Sequence, residues 1–193
     1  DVVLADRQDL TATTAETYDG RASAIAYGSK LVLDGIGVWA GVAPDAEPIR
    51  EIRVADDASP LFLHYDHRDV VPGAENPPPL GYIVENRVLR RVLLACAAVL
   101  PSLTLIHPRA VASLHADDSG AVATLADGTT RRCRAVAAAD GKESPLRRGA
   151  GIRTVEWRYR QIGIVTTVAH ERPHAGIAVE HFLPAGPFAI LPM

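Results

Sequence analysis

The spacing of apolar positions changes several times along this chain, and each change predicts an element. Val2, Val3 and Leu4 predict a short strand over residues 1–6, followed by a polar loop over residues 7–20. Ala24, Tyr27, Leu31 and Val32 recur at helical spacing and predict a helix over residues 22–34, ended by Gly35 and Gly37. Alternation then takes over, with strands predicted over residues 48–56 (Ile49, Ile52, Val54) and 60–65 (Leu61, Phe62, Leu63). Pro72, Gly73, Pro77, Pro78 and Pro79 make residues 70–80 a loop, since proline lacks the amide donor that a ladder or helix needs. Residues 86–99 predict a strongly apolar helix.

The second half reads mostly as strands. Leu103 to Ile106, Ala110 to His115, Ala121 to Leu125 and Cys133 to Ala138 are four of them, punctuated by turns at Asp117–Gly120 and Asp127-Gly128. Residues 158–169 and 176–183 predict a long hairpin turning at Pro173–Gly176, and Ala189 to Met193 predicts a further strand. The fold class expected is α/β with α+β character. A Rossmann-like layer is interleaved with a mainly antiparallel sheet.

Composition narrows the function classes. The 193 residues are 48% hydrophobic and 22% charged, typical of a globular chain with one substantial core or parts of two layers. A net charge of −3 gives no reason to expect nucleic acid as a partner. The longest apolar run, Val92 to Leu100, is too short to span a bilayer. Cys96 and Cys133 have neither metal nor redox spacing and read as buried thiols.

Candidate chemistry concentrates in Ala137-Ala138-Ala139-Asp140-Gly141-Lys142-Glu143-Ser144-Pro145-Leu146-Arg147. This stretch is predicted to leave a strand and open a helix. Gly141 permits a tight turn and close approach of a ligand, Asp140 can accept from sugar hydroxyls, Ser144 can cap the helix, and Arg147 adds a fixed positive charge. Ordinary strand–turn–helix capping is the plain structural alternative. Gly35-Ile36-Gly37-Val38-Trp39-Ala40 also fits the dinucleotide fingerprint, with Asp56 about 20 residues on. Its context is wrong, because a predicted helix precedes it where a strand is required. His64 and His67 fall on opposite faces of an extended segment, and His170, His174 and His181 have no acidic or cysteine partner at ligand spacing, so no metal site is expected. Neither a Gly-x-Ser-x-Gly elbow nor a P-loop is present.

Asp140-Gly141-x-x-Ser144-x-x-Arg147 resembles the Asp-Gly motif of class A flavoprotein monooxygenases. Further stretches resemble the UbiH-type ubiquinone-biosynthesis hydroxylases of that family: Asp19 to Ala24, Gly35 to Trp39, Tyr159 to Ile162 with Thr167 to Glu171, and Gly186 to Met193. The resemblance implies FAD and NAD(P)H as cofactors. It implies hydroxylation of a polyprenylated phenol with O2. It places Asp140, Gly141 and Arg147 between FAD and the path of NAD(P)H. Asp6, at the end of the first strand, would bind the adenosine ribose or merely cap a turn. Arg21 would reach the pyrophosphate, or stand solvated. Asn86 or Arg87, at the start of the predicted helix, would touch the ribityl chain, and the resemblance implies that the polar residue at Asn86 does so. Arg90 and Arg91 read as a solvated face. Arg147 is as well suited to pairing with a nearby carboxylate as to touching the cofactor.

The domain organisation implied is a partial FAD layer over residues 1–47, substrate-domain strands and the proline-rich loop over 48–80, FAD layer again over 81–150, and a partial substrate sheet over 151–193. Ile162, Ile164, Thr166 and Val168 would line an apolar pocket there, or a plain core. Both ends fall inside predicted strands, so the chain is expected to be an internal fragment lacking an upstream Gly-x-Gly-x-x-Gly loop and inactive alone. The expected location is cytoplasmic, with the prenylated substrate allowing peripheral contact with the inner membrane. Another FAD oxidoreductase of the same fold, such as a prenyl reductase, and a non-catalytic interaction protein remain the alternatives.

Overall fold

The computed structural model describes residues 1–12, 20–57 and 59–193. It divides into two compact units, residues 1–14 with 97–164 and residues 15–96 with 165–193.

In the first unit, β1 (Val2–Ala5) pairs parallel with β7 (Leu103–Ile106) in the register Val2 to Leu103. β8 (Val111–Asp117), β9 (Gly120–Leu125) and β10 (Thr130–Cys133) form an antiparallel meander, with a bulge at Val111/Ser113. The predicted turns supply its connections. Asp117 accepts from Ser119 N–H at 2.8 Å and Asp127 from Thr129 N–H at 3.0 Å, the self-made turns that Asp favours. Ala121, Ala123 and Leu125 alternate inward along β9 and are buried. The unit also holds α5 (Pro145–Gly149).

In the second unit, β2 (Ala22–Ala26) and β3 (Ala46–Ile49) flank β6 (Gly81–Glu85), all antiparallel. A second sheet runs β12 (Gly186–Ile190), β11 (Ile177–Leu183), β4 (Glu51–Asp56), β5 (Phe62–Asp66). The helices are α1 (Tyr27–Gly35), α2 (Trp39–Val42), α3 (His67–Val70) and α4 (Asn86–Ala98), whose last residues fall in the first unit's range. Val38, Trp39, Val42, Val84 and Val88 form one buried cluster, and Ile49, Ile83 and Ala178 another. β6 faces both, which is why its run Tyr82-Ile83-Val84 is apolar on both sides. At Gly81 a Cβ would sit 2.6 Å from the Ile25 carbonyl oxygen, so only glycine lets β6 pass β2 this closely.

The structure corrects several predicted elements: the one strand predicted over residues 48–56 is two, β3 and β4, in different sheets, and the strand predicted over 189–193 lies over Gly186–Ile190 instead. Residues 22–26 are strand, not the start of a helix: five residues are too few to separate the two periods, and pairing with β6 decides. The strand predicted at Cys133 to Ala138 ends at Cys133. Ala139 N–H donates to the Ala137 carbonyl at 3.1 Å, a tight turn that alanine, a weak strand former, does not resist. The hairpin between 158–169 and 176–183 does not form. β11 takes β12 on one edge, across the two-residue connection Pro184-Ala185, and β4 on the other, in parallel. Both its edges are thus filled. Ile162, Ile164 and Val168 remain 92%, 90% and 69% exposed and form no core.

Candidate functional site: an Asp-Gly loop and a strand-end pair

In the first unit the loop 140–144 leads into α5, and Ser144 caps it. This side chain is 3% exposed and its Oγ accepts from the Arg147 amide at 2.9 Å. Pro145 occupies the first helical turn, where its missing N–H costs nothing. Gly141 has φ +92°, a conformation that penalises any Cβ, yet no atom lies within 4 Å of where a Cβ would be. The loop backbone is therefore open to a ligand at Gly141.

Asp140 is turned toward its own loop. Its Oδ2 accepts from Leu146 N–H at 3.3 Å. The Ser144 hydroxyl, then the Leu146 amide and the nearby Arg147 charge, hold its carboxyl below the usual carboxylate range. It stays ionised at neutral pH and stiffens the turn.

Arg147 is held at two points. One terminal nitrogen donates to the Lys142 carbonyl at 2.9 Å, and the other lies 3.8 Å from Glu156 Oε1. Its Nε–H is buried and has no acceptor. Of the two roles open for Arg147 in the sequence, pairing with a carboxylate is thus realised within the chain, while one donor is left over. Asp6, half-buried after β1, accepts from Gln8 N–H at 2.8 Å and so closes a turn.

In the second unit, Arg21 and Asn86 are brought together across β2 and β6. The Asn86 amide donates to the Arg21 carbonyl at 3.0 Å, and the Ser23 hydroxyl donates to Asn86 Oδ1 at 2.6 Å. Asn86 thereby sits fixed at the start of α4. Arg87 pairs with Glu85. Asp19, the first residue of the stretch preceding β2, lies outside the described residues.

Two groupings escaped sequence reasoning. Glu51, His64 and Asp66 lie within 4.8 Å of one another across β4 and β5. The pairing of Glu51 with Asp66 and of Arg53 with His64 puts all of them on one sheet face, and only the strand register reveals it. Arginines already serve both carboxylates: Arg53 Nη2 lies 2.7 Å from Glu51, and Arg68 Nε donates to Asp66 at 2.9 Å. The group is an ion-pair network. Asp66 also accepts from the Arg68 amide, capping α3, and the Arg68 guanidinium holds its carboxyl far below the usual range. The second grouping is Glu156 with Thr154, whose hydroxyl donates to Glu156 Oε1 at 2.9 Å. No sequence signal marks it, since Glu156 meets Arg147 only through the fold. An open depression of about 480 Å³ lies along Val168–His174 and Met193; its lining includes Val168 of the predicted pocket residues and none of the candidate cofactor-binding residues.

A family model described as "FAD binding domain" matches residues 1–192. The chain belongs to the FAD-binding domain family. It is 50% identical over 192 residues to the ubiquinone hydroxylase UbiL of Rhodospirillum rubrum, covering 100% of this chain and 43% of that protein. It is 33% identical to the mouse mitochondrial ubiquinone biosynthesis monooxygenase COQ6, covering 93% of this chain and 38% of that one. The chain thus spans less than half the length of these relatives. The resemblance to UbiH-type flavoprotein hydroxylases is borne out by them. Among solved structures, Pseudomonas aeruginosa PqsL in complex with 2-aminobenzoylacetate superposes with a TM-score of 0.64 at 21% identity, over 82% of this chain and 41% of that one. The mixed α/β fold class is the same. Among the described residues, no helix is long and apolar enough to cross a membrane.

Proposed function

We propose that this chain serves an FAD-dependent monooxygenase that hydroxylates a polyprenylated phenol in ubiquinone biosynthesis, using NAD(P)H and O2. The observation that carries this reading is the 50% identity to a ubiquinone hydroxylase along the entire chain. The residues present fit FAD. The loop backbone at Gly141 has a positive φ and open space where a Cβ would stand, which leaves room for an oxygen-rich ligand to approach the loop closely. Bound FAD would supply the electron transfer and oxygen activation that amino-acid side chains lack.

The chain's own residues bind and orient. Asp140 and Ser144 keep the loop in one shape so that Gly141 and Arg147 meet the cofactor without an ordering cost. Asp6 closes the turn after β1, where a ribose hydroxyl would find its carboxylate. Arg21 and Asn86, fixed to one another, would serve the pyrophosphate and the ribityl chain. Residues 1–47 and 81–150 would form the FAD layer, and 48–80 with 151–193 the substrate side. The pairing of β4 and β5 with β11 and β12 in one sheet supports that grouping. A cytoplasmic enzyme with peripheral contact to the inner membrane suits a prenylated substrate.

The test is the visible absorption spectrum of the purified full-length protein. Flavin bands near roughly 370 and 450 nm, released on denaturation, are expected, followed by NAD(P)H oxidation that a prenylated phenol stimulates and O2 supports. A protein that stays colourless with added FAD refutes the reading.

A further inference from the structure

Between α5 and β11 the chain runs through residues 150–176 without a helix or strand. Stretches beyond about 12–15 residues with no regular structure are uncommon in compact domains. The sequence here is not that of a loop. Ile162, Ile164, Thr166 and Val168 alternate at the period of a strand, and every residue from Ile162 to Val168 except Gly163 is β-branched. Seven residues extended span about 20 Å, an ordinary strand length. Yet Trp157, Tyr159, Ile162, Ile164, Val165 and Val168 are 69–92% exposed, and among the described residues no strand pairs with the segment. An apolar stretch of this extent marks a contact surface.

Its chemistry selects the partner. Natural edge strands are guarded by charges or proline, and Ile162–Val168 holds neither. The same lack of charge gives it nothing with which to attract an anionic lipid surface. An uncharged, β-branched segment suits the inside of a sheet, with neighbours on both edges. Since the chain covers 43% of the Rhodospirillum rubrum hydroxylase, more than half the length of such a protein lies outside these residues. A strand from that part is joined covalently and so is present at high effective concentration. We propose that Ile162–Val168 is an interior strand of the full-length protein, paired with a strand from outside residues 1–193. Ile162, Ile164 and Val168 then turn one face into a core that this chain does not complete by itself. The inference goes beyond the FAD reading and needs no cofactor.

The experiment is amide hydrogen exchange of the full-length protein, with and without flavin. Amides of Ile162–Val168 are expected to exchange at least about tenfold slower, after correction for intrinsic rates, than those of Glu171 and Arg172. Equally fast exchange overturns the proposal. Protection that arises only with vesicles of anionic phospholipid overturns it in favour of a lipid surface. Protection that disappears on dilution to the monomer overturns it in favour of a second copy. As an independent readout, I164K is expected to lower the urea midpoint of the full-length protein, because it puts a charge into a core. An unchanged midpoint overturns the proposal, and where I164K fails to fold, wild-type exchange decides. A protected segment in a protein that takes up no FAD refutes the cofactor reading alone, and an unprotected one in a flavin-bound protein refutes this inference alone.

Discussion

Replacing Gly81 by alanine sets two opposed effects against each other. The new Cβ would lie 2.6 Å from the Ile25 carbonyl oxygen and 3.3 Å from the Ala26 Cα, both backbone atoms of the neighbouring strand. Ordinary contact begins at 3.4 Å, so β2 and β6 must part by about 0.8 Å where their pairing of Ala26 with Gly81 closes. Forcing a strand pair apart in a packed region costs roughly 1–3 kcal/mol. Against this, alanine restricts the unfolded chain and returns about 0.4–1 kcal/mol. The clash wins, and the net loss expected is about 1–2 kcal/mol. Urea denaturation followed by far-ultraviolet circular dichroism reads it as a lower midpoint with an unchanged slope. A variant as stable as wild type, or more so, would show that the two strands have slack at this point. The close-approach explanation of Gly81 would then fall.

Val84→Ala removes two methyl groups from a fully buried site and should cost about 2–3 kcal/mol in the same titration, whereas Val99→Ala, at a position 78% exposed, should stay within about 0.5 kcal/mol. Ser144→Ala deletes the cap of α5 and should cost about 1 kcal/mol locally, seen as faster amide exchange at Arg147, together with weaker FAD binding. The carboxyls of Asp66, Asp117, Asp127 and Asp140 are all held below their ordinary values in the folded chain. The unfolded chain therefore takes up protons first. The stability they contribute is complete above about pH 4 and drains away as pH falls through the lowered native values. Urea midpoints measured from about pH 6 to pH 3 should show that fall, with a shallower slope in Asp66→Asn; an identical slope would refute the assignment to Asp66.

Sequence pattern captured what depends on neighbours along the chain. The helix at α4, the meander turns at Asp117 and Asp127, the proline-rich loop and the cap at Ser144 are all local, and all were legible. What the pattern missed was settled by partners far away. Residues 22–26 are strand because β6 lies beside them, and residues 158–169 are not because β11 has no edge to offer. The loop at Asp140-Gly141 was visible as chemistry, since those residue types at those offsets are unusual. That Asp140 would spend hydrogen bonds on its own loop was not, nor was the meeting of Arg147 with Glu156. Both are side-chain choices made after the backbone is in place.

The parallel pairing of β4 with β11 joins Ile52 to Ala178. A ribosome delivers residue 178 long after residue 52, so the β4–β5 hairpin must exist for that interval with one full edge of amides and carbonyls unanswered. Such an edge is a template for pairing with another chain. The second sheet is thus the late and exposed step in the protein's biosynthesis, and its folding rate is governed by closing a loop of more than a hundred residues rather than by local propensity. Translation pauses or truncations that fall before β11 should leave this molecule most prone to aggregate, while the meander of β8 to β10, built from adjacent segments, needs nothing downstream to form.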